Sequence, residues 1–593
     1  MTCRDMILSE EFQDFLTYYI LPEGTLTEEV SGDAFCFVPV SGRLWSVYFN
    51  RQNLPPLSFS GYQYRYVTEL YGLEDEFVWG TQGQRFDPQP LNASGITQLQ
   101  GEPLSLTGRN VVIGFADTGI DYRNPVFRRQ DGSSRILAIW DQTDQSGMPP
   151  EGFYYGSEYT REEINAALSL ENPLEAVPVT DENGHGTRMA SAAAGSAING
   201  GLDFLGAAPD ADIVVVKLKQ AKQYLLDFYL IPEGVPAYES NDIVLAVKYL
   251  NSFVIPFVRP VCICLGIGRS FGDHRSNSAL SRYLSEVGSD INRVVVVSGG
   301  NEGNAAHHYA GTVTERESEE VEVRVGEGTR GFLMEIWGNL PSYFSVMVHS
   351  PGGEEIPVIS SRLEQEVEYS FVYGRSRIRI DYQLNDPATG GEVAVVRLEE
   401  PAAGVWTFRL VQESAGYGAF HMWLPIRQFV EGSVEFLRPN PDSTLTAPSY
   451  AEDVLGVSAY NSRNNSFYVN SGRGFALDGR IKPELAAPGV DISVTSGMLR
   501  GSAVVAAASG TSLAAAITAG GCAQFLQWCV QDGNYPDING TGLINFFVRG
   551  AARDASQSFP NRTFGFGRMD MVGVFDWIAG IGRGNSGLYE RNH

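Results

Sequence analysis

The stretch Val111-Val112-Ile113-Gly114-Phe115-Ala116-Asp117-Thr118-Gly119-Ile120-Asp121 is an unbroken apolar run that ends in a carboxylate and a turn. A short strand with no polar alternate positions is buried on both faces, the pattern of a parallel sheet covered by helices. In such sheets ligands and chemistry gather at the carboxyl ends of the strands, and Asp117 stands at that end. Taken alone, Asp117 reads more readily as a turn aspartate of the kind common after strands.

The same grammar continues on the C-terminal side. Strands are predicted at Ile213 to Leu218, Val261 to Leu265 and Val294 to Ser298, with helices at Gly184 to Gly195, Asp242 to Asn251 and Ser276 to Val287. This alternation, from Asn110 to about Ala310, is an α/β pattern. From about Thr312 to about Pro441 the period becomes two, as in Glu320-Val321-Glu322-Val323-Arg324-Val325 and Val393-Ala394-Val395-Val396-Arg397-Leu398. Turns such as Pro351-Gly352-Gly353 separate these runs, so an antiparallel β-sandwich is expected to interrupt the α/β chain. The α/β grammar resumes near Thr446 and reaches an apolar helix from Thr511 to about Trp528. Before the first strand, residues 1–90 mix a helix-like piece, Glu11 to Tyr19, with a strand-like one, Leu44 to Phe49, and a proline- and glutamine-rich linker follows from Gly80 to Pro90. The expected fold is α/β, a parallel sheet flanked by helices, divided as 1–90, 91–311, 312–443 and 444–593. A chain of 593 residues exceeds a single core.

The net charge of -27 argues against nucleic acid and anionic membrane surfaces as partners. The six cysteines, Cys3, Cys36, Cys262, Cys264, Cys522 and Cys529, are too few and too scattered for a disulfide framework. Cys262 and Cys264 would share one face of a strand. A reducing, non-secretory compartment is expected. The start, Met1-Thr2-Cys3-Arg4-Asp5-Met6-Ile7-Leu8, lacks the basic and apolar regions of a signal peptide. No run of about 18 apolar residues predicts a membrane span. No metal-ligand spacing occurs, so neither metal nor cofactor is expected.

Two further blocks join Asp117. In Asn183-Gly184-His185-Gly186-Thr187 a histidine opens a helix of small residues, with glycines that allow a substrate backbone to approach. In Ser509-Gly510-Thr511-Ser512-Leu513-Ala514 a serine sits at a helix N-terminus, where the dipole and exposed N–H groups favour developing negative charge. Ser512 alone would be a plain cap. With His185 as base and Asp117 to orient it, the three compose a nucleophilic triad. Asn301, in Val297-Ser298-Gly299-Gly300-Asn301, ends a buried strand and offers an amide to an oxyanion. Leu265 and Gly266, after another strand, offer backbone for pairing with an extended substrate. Lys482-Pro483-Glu484-Leu485-Ala486-Ala487-Pro488-Gly489 is expected to shape the approach to the Ser512 helix.

Asp117, His185 and Ser512 follow one another in the order of the subtilisin-like serine proteases, and the chain resembles that family over about residues 95–310 and 445–580. The resemblance implies triad roles for these three residues and an oxyanion role for Asn301. More narrowly, the chain is similar to the germination-associated Csp proteases of clostridial spores. The strings are Ile7-Leu8-Ser9-Glu10-Glu11-Phe12, the insertion after Asn301, and the segment from Gly510-Thr511-Ser512 to Gly520. That likeness implies a jelly roll for the insertion and a prodomain for residues 1–90. The prodomain would be cut autocatalytically between about Tyr71 and Asn92, yet retained as an intramolecular inhibitor. The implied client is a protein zymogen, a cortex-lytic hydrolase, inside the spore, with a cytoplasmic origin. The group also includes pseudoproteases that have lost triad members, so a silent sensor or scaffold is the alternative; the intact triad favours the enzyme. Two departures are Ala516, where most subtilisins have proline, and Asn199 to Gly206, short where many carry a calcium loop.

Overall fold

A computed structural model describes residues 1–18, 30–60, 66–74, 77–79, 85–196, 204–315, 317–362, 366–386, 389–414, 416–499 and 502–580. Most of the Asn199 to Gly206 loop and part of the Gly80 to Pro90 linker lie outside these residues.

Nine strands among them form the central sheet. In spatial order they are Ser466–Phe467, Leu455–Asn461, Arg293–Ser298, Val261–Leu265, Val112–Asp117, Asp212–Lys217, Ile136–Asp141 and Ser157–Thr160, with Leu485–Pro488 also beside Leu455–Asn461. The run from Leu455–Asn461 to Ile136–Asp141 is parallel throughout, and the antiparallel partners lie at the edges. Successive side chains of a strand point to opposite faces, and here both faces are core. Ile113, Phe115, Val215, Cys262, Cys264 and Val296 pack with residues of the helices His185–Ala194 and Thr511–Leu526. Val112, Ala116, Val214, Ile263, Val295 and Val297 pack with residues of Ser240–Asn251 and Ala279–Ser289. This double burial is why the strands read as continuous apolar runs. Apart from Gln524, whose amide donates to the Ile96 and Leu106 carbonyls, the Thr511–Leu526 helix is apolar or small all round, and it is buried along its whole length, as a helix through the middle of a core is.

The N-terminal segment folds as the short helix Cys3–Leu8 and a four-stranded antiparallel sheet ordered Phe12–Tyr18, Leu44–Asn50, Phe35–Pro39, Val30–Gly32. Within the helix-like Glu11 to Tyr19, Phe12–Tyr18 is therefore a strand, and Tyr19 lies outside the described residues. Phe12, Phe15 and Leu16 fit a helical spacing, but seven residue pairs with Leu44–Asn50 settle the conformation. This is a non-local effect that short-range periodicity does not carry. Met6, Ile7, Phe12, Val38 and Tyr48 share one core with Ile243, Val247 and Leu280, so the segment sits on the two helices of that face. Cys3 and Cys36 form a disulfide with their Cα atoms 5.6 Å apart. Their spacing gave no hint of it, because the helix is brought onto the strand only by packing. Cys262, Cys264 and Cys522 are free, buried neighbours in one cluster.

Between the two parts of the α/β unit stands an antiparallel sandwich, His308 to Phe436, of a six-stranded and a five-stranded sheet. In Ser318–Val325, the residues Val321, Val323 and Val325 are buried while the charged residues between them are exposed, the alternation that the period of two implies.

Candidate active site

Asp117 ends its strand, and the adjacent backbone locks its carboxylate. Oδ1 accepts from the Thr118 N–H at 2.7 Å and from the Thr118 hydroxyl at 3.2 Å. His185 opens the facing helix. Its Nδ1 lies 2.8 Å from Asp117 Oδ1 and 2.9 Å from Oδ2. A carboxylate only accepts, so Nδ1 carries a proton; in the neutral ring Nε2 then presents a lone pair.

The helix start is held by Asp181, a residue that the motif reading passed over. Its Oδ1 accepts from the Gly184 N–H at 2.8 Å and the Thr118 hydroxyl at 2.7 Å. Its Oδ2 accepts from the N–H and hydroxyl of Thr187 at 2.8 and 2.6 Å. Gly184 is in the left-handed region and supplies no side-chain cap, so Asp181 takes over those orphan N–H groups. An aspartate shortly before a helix start was the available signal. Gly186 serves packing and not substrate access: a Cβ there would sit 2.2 Å from the Gly119 carbonyl oxygen and 3.2 Å from Asp117 Cβ.

Ser512 is the second residue of the buried central helix, which packs against the His185–Ala194 helix. Gly510 precedes it in an extended conformation and donates its N–H to the Gly489 carbonyl at 2.9 Å. The Lys482 to Gly489 string thus holds the entry to the helix. It is itself fixed by the buried Lys482–Glu484 pair at 2.5 Å. Asn301 Oδ1 accepts from the N–H and hydroxyl of Thr511, both at 3.1 Å. Because an N–H needs an acceptor, this contact assigns the amide and turns Nδ2 away from Thr511. Asp117, His185, Asn301 and Ser512 are all buried.

The cleft is filled by the chain itself. Leu70–Leu73 lies as a middle strand between Ala237–Glu239 and Ile267–Gly268, antiparallel to both. Glu74 continues it and donates its N–H to the Gly266 carbonyl at 2.9 Å. Gly266 lies on His185, where an added Cβ would be 2.9 Å from His185 Cε1. Gln428, in the 3-10 helix Arg427–Phe429, donates to the Leu73 carbonyl. Of the two predicted backbone positions, Gly266 contacts the bound strand. The pairing strand is one step further on, Ile267–Gly268, and the Leu265 side chain belongs to the core.

The family model for the subtilase family, peptidase S8, matches residues 108–322 and 429–567. The gap between the two matches falls within the sandwich. Among solved structures, the CspB protease of Clostridium perfringens is similar at 28% identity and TM-score 0.73, covering 84% of this chain and 100% of that one. MycP1 from the ESX-1 type VII secretion system is 15% identical with TM-score 0.39, covering 85% and 93% of the two chains. The prenylagaramide maturation protease PagA is 12% identical with TM-score 0.39, covering 82% and 99%. No curated protein sequence matches. With more than half of its residues matched by the family model, the chain belongs to the subtilase family and is a serine endopeptidase.

Proposed function

We propose that the chain is a self-processing protease whose N-terminal segment is a prodomain that stays in the cleft as an inhibitor. Leu70–Leu73, seated between two strands beside His185, carries this reading. Strand addition satisfies main-chain donors and acceptors whatever the side chains, so a peptide held this way is presented as a substrate is. In this reading Ser512 attacks the carbonyl carbon and His185 Nε2 takes its proton. Asp117 holds the imidazole and stabilises the imidazolium. Asn301 Nδ2, turned by the Thr511 contacts, donates to the oxyanion, an interaction worth about 2.7–4 kcal/mol in subtilisin. His185 then returns the proton to the leaving amine, and water releases the acyl group from Ser512.

The similarity to the Csp proteases supports a place for the enzyme inside the spore, activating a zymogen such as a cortex-lytic hydrolase during germination. The inserted sandwich is read as the jelly roll of that group. The occupied cleft favours a second state of the same protein, an occluded one, in which the retained segment keeps the triad silent.

Reaction of purified protein with a fluorophosphonate tests the chemistry: Ser512 is labelled in the wild type and nothing is labelled in Ser512→Ala. The wild type also yields an N-terminal fragment that Ser512→Ala does not. An unlabelled, folded wild type would leave only the silent reading.

A further inference from the structure

We infer that the inserted sandwich is part of the substrate site. Ile426, Gln428 and Phe429, on the connection between its strands Tyr417–Trp423 and Val434–Phe436, form a wall against the strand in the cleft. That wall admits glycine alone at the position of Gly72. The inference rests on the self-processing reading above and deepens it, by naming what an extended client must carry there.

Gly72 stands opposite Ala237 on one side and Gly268 on the other. Side chains alternate along a strand, and here Tyr71 and Leu73 turn into the core shared with Ile263 and Val297. Leu70 turns the other way, into the cluster that joins Ile426 and Phe429 to Leu333 and Trp337 of the sandwich. Gly72 faces the same way as Leu70. A Cβ built on it would lie 2.5 Å from Ile426 Cδ1, 2.6 Å from Gln428 Nε2 and 2.9 Å from Phe429 Cε1. Carbon atoms pack at about 3.5–4.0 Å, so a single methyl group collides with three side chains at once.

The wall has little room to yield. Ile426 and Phe429 are buried, and the Gln428 amide is engaged by the Leu73 carbonyl. Behind them the segment is pinned. The Pro425 carbonyl accepts from His307 Nδ1 at 2.6 Å, and the Arg427 N–H donates to Glu302 Oε1 at 3.1 Å. Glu302 directly follows Asn301, so the wall is tied to the loop that carries that amide. Nor is the strand free to slide along the wall. The Glu74 N–H donates to the Gly266 carbonyl, and the Glu74 carboxyl meets the Asn301 N–H at 2.9 Å and the Thr446 hydroxyl at 2.5 Å.

Backbone conformation does not account for the glycine. Gly72 is paired on both sides and lies outside the left-handed region. At such a position alanine ordinarily stabilises, because it restricts the unfolded chain. The wall residues therefore exclude the side chain, and the strand itself does not. Ile426 and Gln428 fall between the two ranges matched by the family model, 108–322 and 429–567. The restriction thus comes with the insertion and not with the protease core. A client is expected to place glycine where the cleft strand passes between Ala237 and Gly268.

Release of the N-terminal fragment from the full chain, followed by intact mass, tests this. Gly72→Ala should slow release at least tenfold and Gly72→Val at least 100-fold. Ile426→Ala together with Gln428→Ala opens the wall and leaves the Phe429 ring space to turn. In that background Gly72→Ala should be released within about threefold of the rate seen with Gly72. Fluorophosphonate labelling of Ser512 is followed in parallel. The Gly72→Val strand no longer fits the cleft, so labelling should be at least tenfold faster than in the wild type. Gly72→Ala released at the wild-type rate would overturn the inference, as would a slow Gly72→Ala that the opened wall does not restore. A wild type that is labelled yet uncut would remove self-processing and leave the labelling rates to decide. Faster labelling of Gly72→Val would then uphold the wall, and equal rates would overturn it. A wild type neither labelled nor cut would remove the self-processing reading and the inference together.

Discussion

The N-terminal segment and the β-sandwich are both added to one protease core, each over a shared apolar cluster, and the side chains set into the two joints differ. Buried polar groups are set into the segment's joint. Lys222 Nζ pairs with Asp14 and donates to the Phe12 carbonyl at 3.1 Å, with both side chains inaccessible. Asn241 Nδ2 donates to the Phe15 carbonyl at 3.1 Å and to Ser46 Oγ at 2.8 Å. The sandwich's joint, whose apolar cluster brings Leu225 and Phe228 to Leu333 and Val395, carries a stack of rings. His274 of the core lies 4.0 Å from Trp423, which stacks on His308 and His421 at 4.9 and 5.1 Å. His308 Nε2 and His421 Nδ1 are 3.0 Å apart, so one ring donates to the other.

The rings of the stack and Glu74 in the cleft respond to pH in opposite directions. Burial lowers His421 to about 4 and His274 to about 3. Groups lowered in the fold contribute stability that is fully present above the ordinary histidine value and is lost as pH falls toward 3–4. The Glu74 carboxyl is raised to about 8. Its contribution is fully present below the ordinary glutamate value and is lost as pH rises through about 8. Acid therefore acts against the ring stack and alkali against the seat of Glu74, while Glu392 of the sandwich, raised by burial to about 7, gives that domain an alkaline response as well.

The largest expected effect separates chemistry from both attachments. Asp117→Asn should slow processing about 10⁴-fold, the factor seen when a triad aspartate becomes an amide. Hydrogen exchange in the segment and the sandwich should be unchanged; a small rate effect would mean that His185 is oriented by something else. Next, Lys222→Met leaves Asp14 buried without its partner and should cost about 3–5 kcal/mol. Amide protection should fall in residues 12–18 and 44–50 and persist in the sandwich. Equal losses in both would break the comparison. A smaller effect is read in the Ser512→Ala background, where the chain stays intact. There the melting temperature of Glu74→Gln should pull ahead of Glu74 as pH rises from 5 to 9, because only the carboxyl ionises. A gap that closes with rising pH would contradict the assigned direction. The smallest effect belongs to the ring stack. His421→Phe should cost about 1 kcal/mol at neutral pH through the lost hydrogen bond. It should flatten the fall in stability between pH 6.5 and 4.

The residues of the candidate site were legible wherever the chemistry is local. Asp117 at a strand end, His185 at a helix start and Ser512 after Gly510-Thr511 each carry their own flanking pattern, and all four strands predicted around them are present within a residue or two. The contacts that tune the site are not local. Asp181 is tied to Thr118 across 63 positions, and Thr446 to Glu74 across 372. Glu74 itself reads as one more acidic residue in Leu73-Glu74-Asp75-Glu76. Only its burial against Asn301 marks it out.

The sequence by itself determined the parallel sheet, the interrupting sandwich and the serial order of the Asp117, His185 and Ser512 blocks. Those features follow from period, strand ends and glycine punctuation, which act over a few residues. Tertiary structure alone decided that Phe12–Tyr18 is a strand, that Cys3 meets Cys36, and that Leu70–Leu73 fills the cleft. Each depends on a partner far along the chain, and its free energy exists only once that partner has been brought into contact.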